Sequence, residues 1–185
     1  MSTERKCNTT YLKVKWEKEA KITITDDVWL NICKSVIHTS SSDLWREFSW
    51  TCMGRFFVTP YIKSKHCNDT EKAKCWRNCG NVSAGNFHIF WESTKIASYW
   101  SGVIKEINTK IDLNLSCDFT TVFLGSLPQE LRKSDRYLLL ILIAGANKTI
   151  TCRWLDVEPP SCLDWKDITK EIHTMHDFSI KTCHL

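Results

Sequence analysis

The chain has 185 residues, of which 43% are apolar and 11% aromatic, with nine tryptophans and ten cysteines. That composition excludes disorder as the default and suits one domain, or one domain with a small appendage. The net charge of +4 is unevenly placed: residues 1–80 carry 14 Lys and Arg against 9 Asp and Glu, whereas residues 81–185 carry 11 against 12.

With only six Gly and four Pro, the pattern favours helices joined by short loops. Thr10 to Lys21 places Leu12, Trp16 and Glu19 at helical spacing. Thr25-Asp26-Asp27 reads as an N-cap followed by acids in a first turn. Val28, Trp29, Ile32, Val36 and Ile37 then build one apolar helical face. Ser42-Asp43 restarts a helix carrying Leu44, Trp45, Phe48, Cys52 and Phe56, with Pro60 ending or following it. Residues 61–90 lose periodicity and collect Cys, His, Asn and Gly. Ile96, Trp100, Val103, Ile104 and Ile107 restore a helical face. Asp118 to Leu124 is a short apolar element of ambiguous type, and Pro128 suits the first position of a helix. A long helix, apolar on nearly every face and therefore central, is predicted over about 134–155. Pro159-Pro160 breaks it, and Ser161 or Cys162 starts a last helix with Trp165, Ile168, Ile172 and Met175. The predicted class is mainly α: a helical array interrupted by a small irregular Cys/His knuckle. Its three stretches are 1–60, 61–94 and 95–185.

The informative stretch is Cys75-Trp-Arg-Asn-Cys79-Gly80, followed by Phe87-His88-Ile-Phe-Trp91-Glu92-Ser93. Two cysteines four positions apart can direct both sulfurs at one metal, and Gly80 lets the backbone fold tightly after the second. His88 supplies a third ligand, and thiolates with imidazole are the donor set zinc prefers. Zinc is the expected cofactor. Ser93 stands where a cysteine would complete C-x3-C-x8-H-x4-C, so the fourth ligand is open, with Glu92, Cys67, His66 or water as substitutes. The alternative is two loop thiols and a packed histidine. Other clusters are weaker: His173 and His176 lie three apart on the last helix, while Cys33, Cys52, Cys117 and Cys152 read as small core hydrophobes.

Between Arg55 and Arg77 six basic residues, Arg55, Lys63, Lys65, Lys72, Lys74 and Arg77, face only Asp69 and Glu71. A basic stretch beside aromatics suits a polyanion such as RNA or DNA, with Trp76 or Phe87 stacking on a base. A solvated loop is the plainer reading of the same charges.

Trp45-Arg-Glu-Phe-Ser-Trp50, Arg55-Phe-Phe-Val-Thr-Pro60, Cys75-Trp-Arg-Asn-Cys-Gly80, His88-Ile-Phe-Trp91, Asp135-Arg-Tyr-Leu-Leu, Cys152-Arg-Trp-Leu155 and Pro159-Pro160 follow one another in order. The last helix, Trp165 to Met175, continues the pattern. Together these strings resemble the region downstream of the polymerase in fish-type LINE (non-LTR) retrotransposons, over about residues 10–176. The resemblance implies the C-terminal zinc-binding segment of a reverse-transcriptase polyprotein, gripping template RNA or target DNA, with a polymerase domain upstream. It carries ligand roles to Cys75, Cys79 and His88. The chain departs from the family at Ser93, where a cysteine is expected, and at Thr94, where a proline is expected.

Polymerase chemistry requires carboxylates that hold two cations. The one Asp-Asp pair, Asp26-Asp27, reads as a helix cap, so no catalytic residue is expected and the chain is not predicted to be an enzyme. A decayed remnant that binds neither metal nor nucleic acid is the alternative function. The polar start Met1-Ser-Thr-Glu-Arg-Lys lacks an apolar signal core. The longest apolar run, Tyr137 to Ala146, falls short of the ~20 residues a bilayer span needs. The expectation is a cytoplasmic or nuclear protein, not secreted, with no membrane segment, reduced thiols and unused sequons at Asn8, Asn68, Asn81, Asn114 and Asn147.

Overall fold

A computed structural model describes residues 9–39 and 42–182, with side chains described through Ile172. The shared face expected of His173 and His176, and Met175 beside it, lies outside the described side chains, as does the sequon at Asn8. Among the described residues there is no strand. The fold is mainly α, as the periodicity requires.

Helix α1 (Thr10–Ala20) buries Leu12 and Trp16, four apart on one face, and ends where Lys21 turns into the left-handed region. Helix α2 (Asp26–His38) starts as its sequence dictates: the Thr25 side chain accepts from the Val28 N–H, and Asp26 and Asp27 occupy the first turn. Those acids oppose the positive end of the helix dipole. Trp29, Ile32 and Val36 recur on its inner face. Helix α3 (Asp43–Gly54) buries Trp45, Cys52 and Met53 and closes on Arg55 in left-handed geometry.

Pro60 does not trail α3. It opens a separate helix, α4 (Pro60–Cys67), capped by Thr59, whose hydroxyl accepts from the Ile62 N–H. A 3-10 turn (Thr70–Ala73) and the knuckle loop follow. Helix α5 (Thr94–Ile111) buries Ile96, Tyr99, Trp100, Val103, Ile104 and Ile107 along one stripe. The ambiguous segment after it forms a single π-helical turn, Phe119–Phe123, capped by Asp118. Pro128 lies in the following loop rather than at a helix start, because α6 begins only at Lys133. Helix α6 (Lys133–Cys152) is buried on nearly every face and is central. It stops at Cys152, before Pro159-Pro160, and helix α7 (Cys162–Thr182) closes the chain.

One hydrophobic cluster runs from Leu12 to Trp165 and draws on every helix except α4, so the three stretches of sequence share a core. Each large aliphatic or aromatic side chain buried in it contributes about 1.5–3 kcal/mol. Polar tips are satisfied within it. Trp16 Nε1 donates to the Met53 carbonyl at 2.9 Å, Trp100 Nε1 to the Phe90 carbonyl at 2.7 Å, and the Tyr99 hydroxyl to the Ala146 carbonyl at 2.9 Å. Helix α7 lies so close to α6 that a Cβ on Gly145 would sit 2.9 Å from Thr169 Cγ2. Cys52 is a core residue and Cys33 packs against the core, but Cys117 and Cys152 are exposed, contrary to their apolar sequence setting.

The knuckle hangs on this core through aromatic rings. Trp154 lies 5.1 Å from Phe90 and 5.2 Å from Phe57 on the core side, and 5.6 Å from Trp76 on the knuckle side. Its indole N–H donates to the Val58 carbonyl at 3.1 Å. A small satellite cluster of Cys75, Ala84 and Ile89 sits beneath these rings.

Candidate functional site

The knuckle loop is shaped by its own main chain. Asn78 and Gly80 both take positive φ, 54° and 84°, which curls the segment between the two cysteines. The Cys75 N–H donates to the Asn81 carbonyl at 2.9 Å, and the Asn78 N–H donates to the Cys75 carbonyl at 3.0 Å. Further on, the Ala84 N–H donates to the Ala73 carbonyl at 2.8 Å, pinning the loop to the 3-10 turn. His88 opens a π-helical turn, His88–Glu92, which the Ser93 N–H closes on the His88 carbonyl at 3.0 Å. A π turn adds a residue to the helical repeat, and here it carries His88 inward toward the sulfurs.

Ligand atoms of Cys75, Cys79 and His88 lie within 4.8 Å of one another, close enough to hold one metal ion. Cys79 Sγ is 3.1 Å from His88 Nε2. Behind the imidazole, His88 Nδ1 is 3.0 Å from Glu92 Oε2. That carboxylate fixes the ring so that Nε2 faces the sulfurs, the usual support for a metal-bound histidine. Glu92 thus partners the imidazole and falls outside the three-residue cluster. The other substitutes do not reach the cluster: His66 and Cys67 are exposed at the end of α4.

Ser93 lies beside the cluster, next to Cys79. Its side chain is 0% exposed, and its hydroxyl has no hydrogen-bond partner of good geometry. The hydroxyl is nonetheless near enough to the Cys79 sulfur to favour the thiolate. Burial alone would raise the Cys79 thiol. The Asn81 N–H, the Ser93 hydroxyl, Cys75 and His88 outweigh it and bring the thiol down to about 7. Burial likewise opposes a charge on His88, but Cys75, Glu92 and Cys79 lift the imidazole to about 9. Without metal, the two groups shift toward their charged forms, the Cys79 thiol down and the His88 imidazole up. A divalent cation would displace the imidazole proton and take both sulfurs.

No protein-family model matches the chain, and no curated protein is similar to it in sequence. The donor set thus carries the chemistry. Thiol, imidazole and carboxylate in series also match a nucleophile, its base and an orienting acid. A second thiol, Cys75, converges on the same point, which gives a metal ion three donors.

The basic residues divide. Lys63 and Lys65 on α4, Lys72 in the 3-10 turn and Lys74 just after it are all exposed. Lys72 pairs with Asp69 at 3.3 Å, and Lys74 pairs with Glu71. Exposed pairs of this kind are worth about 0–1 kcal/mol, so a phosphate can compete for either ammonium. Arg55 is committed elsewhere, paired with Glu19 and lying 4.6 Å over the Trp16 ring. Arg77 is 0% exposed and cannot reach a phosphate in this fold. Its Nη1 donates to the Ile89 carbonyl at 2.8 Å. Burial lowers its affinity for the proton, and the charges of Cys75 and Cys79 restore part of it. Arg77 is thus the buried counter-cation of the sulfurs, not a surface contact. Trp76 is half-buried edge-on against Trp154, its indole nitrogen buried without a partner, so it presents no free face to a base. Phe87 likewise packs on Phe119, with ring centroids 4.9 Å apart.

Sequence reasoning missed the roles of Arg77 and Glu92. The i, i+4 spacing of His88 and Glu92 on one helical turn was a usable signal for the second. No local signal marks Arg77 as buried.

Proposed function

We propose that the chain is a zinc-stapled nucleic-acid-binding module, the C-terminal segment of a retrotransposon reverse transcriptase as the sequence resemblance implies, with no polymerase site of its own. The observation that carries this reading is the convergence of Cys75, Cys79 and His88 within 4.8 Å. In this reading zinc takes the two sulfurs and His88 Nε2. Water or hydroxide under the Ser93 hydroxyl fills the fourth place, as tetrahedral zinc requires. Zinc supplies charge and cross-linking here, holding Cys75, Cys79 and the π turn of His88 together. The exposed Lys63, Lys65, Lys72 and Lys74, on the two elements leading into the knuckle, supply phosphate contacts to template RNA or target DNA.

Two measurements test it. Metal analysis of purified protein should find one zinc per chain. Titration with a fluorescent single-stranded oligonucleotide at two salt concentrations should show affinity falling steeply with salt, because each phosphate contact releases counterions. Absence of zinc, or binding indifferent to salt, refutes the corresponding half. The second reading, a remnant that has lost its metal, is favoured by one residue, Ser93 in the fourth position. It requires a chain free of zinc.

A further inference from the structure

Most aromatic rings of this protein are in the core. Among the described residues, the exposed ones are Tyr11, Phe56 and Tyr61, and all three line a single cleft of about 690 Å³. Tyr11 is 52% and Phe56 60% exposed, so each ring leaves much of its surface open to a partner. The cleft lies between α1, the turn from α3 into α4, and the loop at Ser83, Gly85 and Asn86. Its volume falls in the range of small-molecule sites, about 300–1,000 Å³.

Cations stand over two of the rings. Lys15 Nζ is 5.3 Å from the centre of Tyr11, and Lys65 Nζ is 4.9 Å from the centre of Tyr61. Lys18 lines the same wall. The one acid in the lining, Glu19, is already neutralised: one oxygen is paired with Arg55 and the other accepts from the Phe87 N–H at 3.2 Å. Ser83, Gly85 and the buried Asn86 close the far side of the cleft as its floor.

We propose that this cleft is a stacking site for single-stranded nucleic acid. Bases lie against Tyr11, Phe56 and Tyr61, and phosphates meet Lys15, Lys18 and Lys65. Aromatic platforms within a cationic groove are how single strands are held without a base-edge code. The inference rests on the nucleic-acid reading above but places the contact in the cleft, whose lining does not include Lys72 and Lys74. It also gives the knuckle a job. The floor residues lie between Cys79 and His88, and the Tyr61 N–H donates to the Ala84 carbonyl of that loop at 3.1 Å. Whatever cross-links the two ligands also shapes the floor.

The test uses the whole chain, with fluorescence anisotropy of labelled U12, dT12 and a 12-base-pair duplex. Phe56→Ala and Tyr61→Ala should each weaken both single strands roughly tenfold or more and leave the duplex little changed. Lys72→Glu with Lys74→Glu serves as the comparison pair. If the wild type binds no oligonucleotide, the general reading fails and this one with it. If the wild type binds and the lysine pair weakens it while the aromatic variants do not, the cleft proposal alone is overturned. Circular dichroism checks that each variant is folded. Should a ring variant misfold, Lys18→Glu, at an exposed site on α1, takes its place with the same expectation. Sedimentation equilibrium covers the rival occupant: self-association of the wild type that Phe56→Ala abolishes, with oligonucleotide affinity unchanged, makes a second copy the partner and refutes the proposal.

Discussion

Ser93→Cys changes one atom at the point where the site is incomplete. The side chain is wholly buried, and its main chain is fixed by the N–H bond to the His88 carbonyl, so the new sulfur has to lie where the hydroxyl was. Two effects follow. A buried hydroxyl with only the Cys79 sulfur for company is removed, which relieves part of a desolvation cost of about 1–3 kcal/mol. A slightly larger atom is added to a full site, which costs a similar amount if nothing yields. In the metal-free chain these roughly cancel, and the melting temperature should hardly move. With zinc the third thiolate adds a ligand, and we expect affinity to rise at least about tenfold, which is about 1.4 kcal/mol. At a zinc concentration about 100 times the wild-type Kd, the wild type gains about 2.7 kcal/mol. A variant binding tenfold tighter gains about 4.1 kcal/mol. For a chain of this length the difference raises Tm by about 3–6 °C. Thermal melts with and without zinc measure it, and cobalt substitution reads the ligands directly, since thiolate-to-cobalt absorption grows with each sulfur. If zinc raises Tm no further in Ser93→Cys than in the wild type, and the cobalt spectrum stays that of two thiolates, Ser93 does not face the metal and the geometry argued above is wrong.

Arg77→Met should leave the salt dependence of oligonucleotide binding unchanged, because the guanidinium never meets solvent. It should slow iodoacetamide alkylation of metal-free protein at pH 7 severalfold, because the Cys79 thiol loses its buried counter-cation; peptide mapping reads the rate at that residue. Asp118 is buried in part, which opposes its ionisation. Hydrogen bonds from Ser116, Thr120 and Thr121 nevertheless hold its carboxyl below the usual range. A depressed carboxylate stabilises the fold above the unfolded pKa of about 3.9, and that contribution is lost as pH falls through the lower folded value. Urea titrations of Asp118→Asn should therefore show a smaller loss of stability below pH 4 than the wild type. Gly145→Val forces side-chain atoms into Thr169 and Ile172. We expect about 1–3 kcal/mol of destabilisation in urea, with limited proteolysis cutting α7 first.

The helices legible in the sequence are those with an apolar stripe or an explicit cap. Thr25-Asp26-Asp27 marked the start of α2, and Ile96 to Ile107 marked α5, because burial against a core imposes a 3.6-residue period. Helix α4 escaped notice for the converse reason: it buries only Pro60 and Ser64, so Thr59 and Pro60 set its start with no stripe to announce it. Pro128 carried a start signal that nothing after it supported. At the site, the spacing of Cys75, Cys79 and His88 was readable because ligand geometry is local. The fates of Arg77 and Trp76 were not, since each is decided by a distant partner, the packed main chain at Ile89 and the Trp154 ring. The exposed aromatics escaped for the same reason. Tyr11, Phe56 and Tyr61 are far apart in sequence, and only folding reveals them as neighbours.

The guanidinium beneath the two sulfurs ties the redox state of the protein to its interior charge balance. An arginine keeps its proton under all physiological conditions, and negative charge on the neighbouring sulfurs favours it in this buried place. Joining those two as a disulfide, or capping either with an electrophile, would strip that charge away and strand a cation in a dry pocket. Oxidants would thus strike the knuckle twice, once by removing its ligands and once by leaving a buried charge without its compensation.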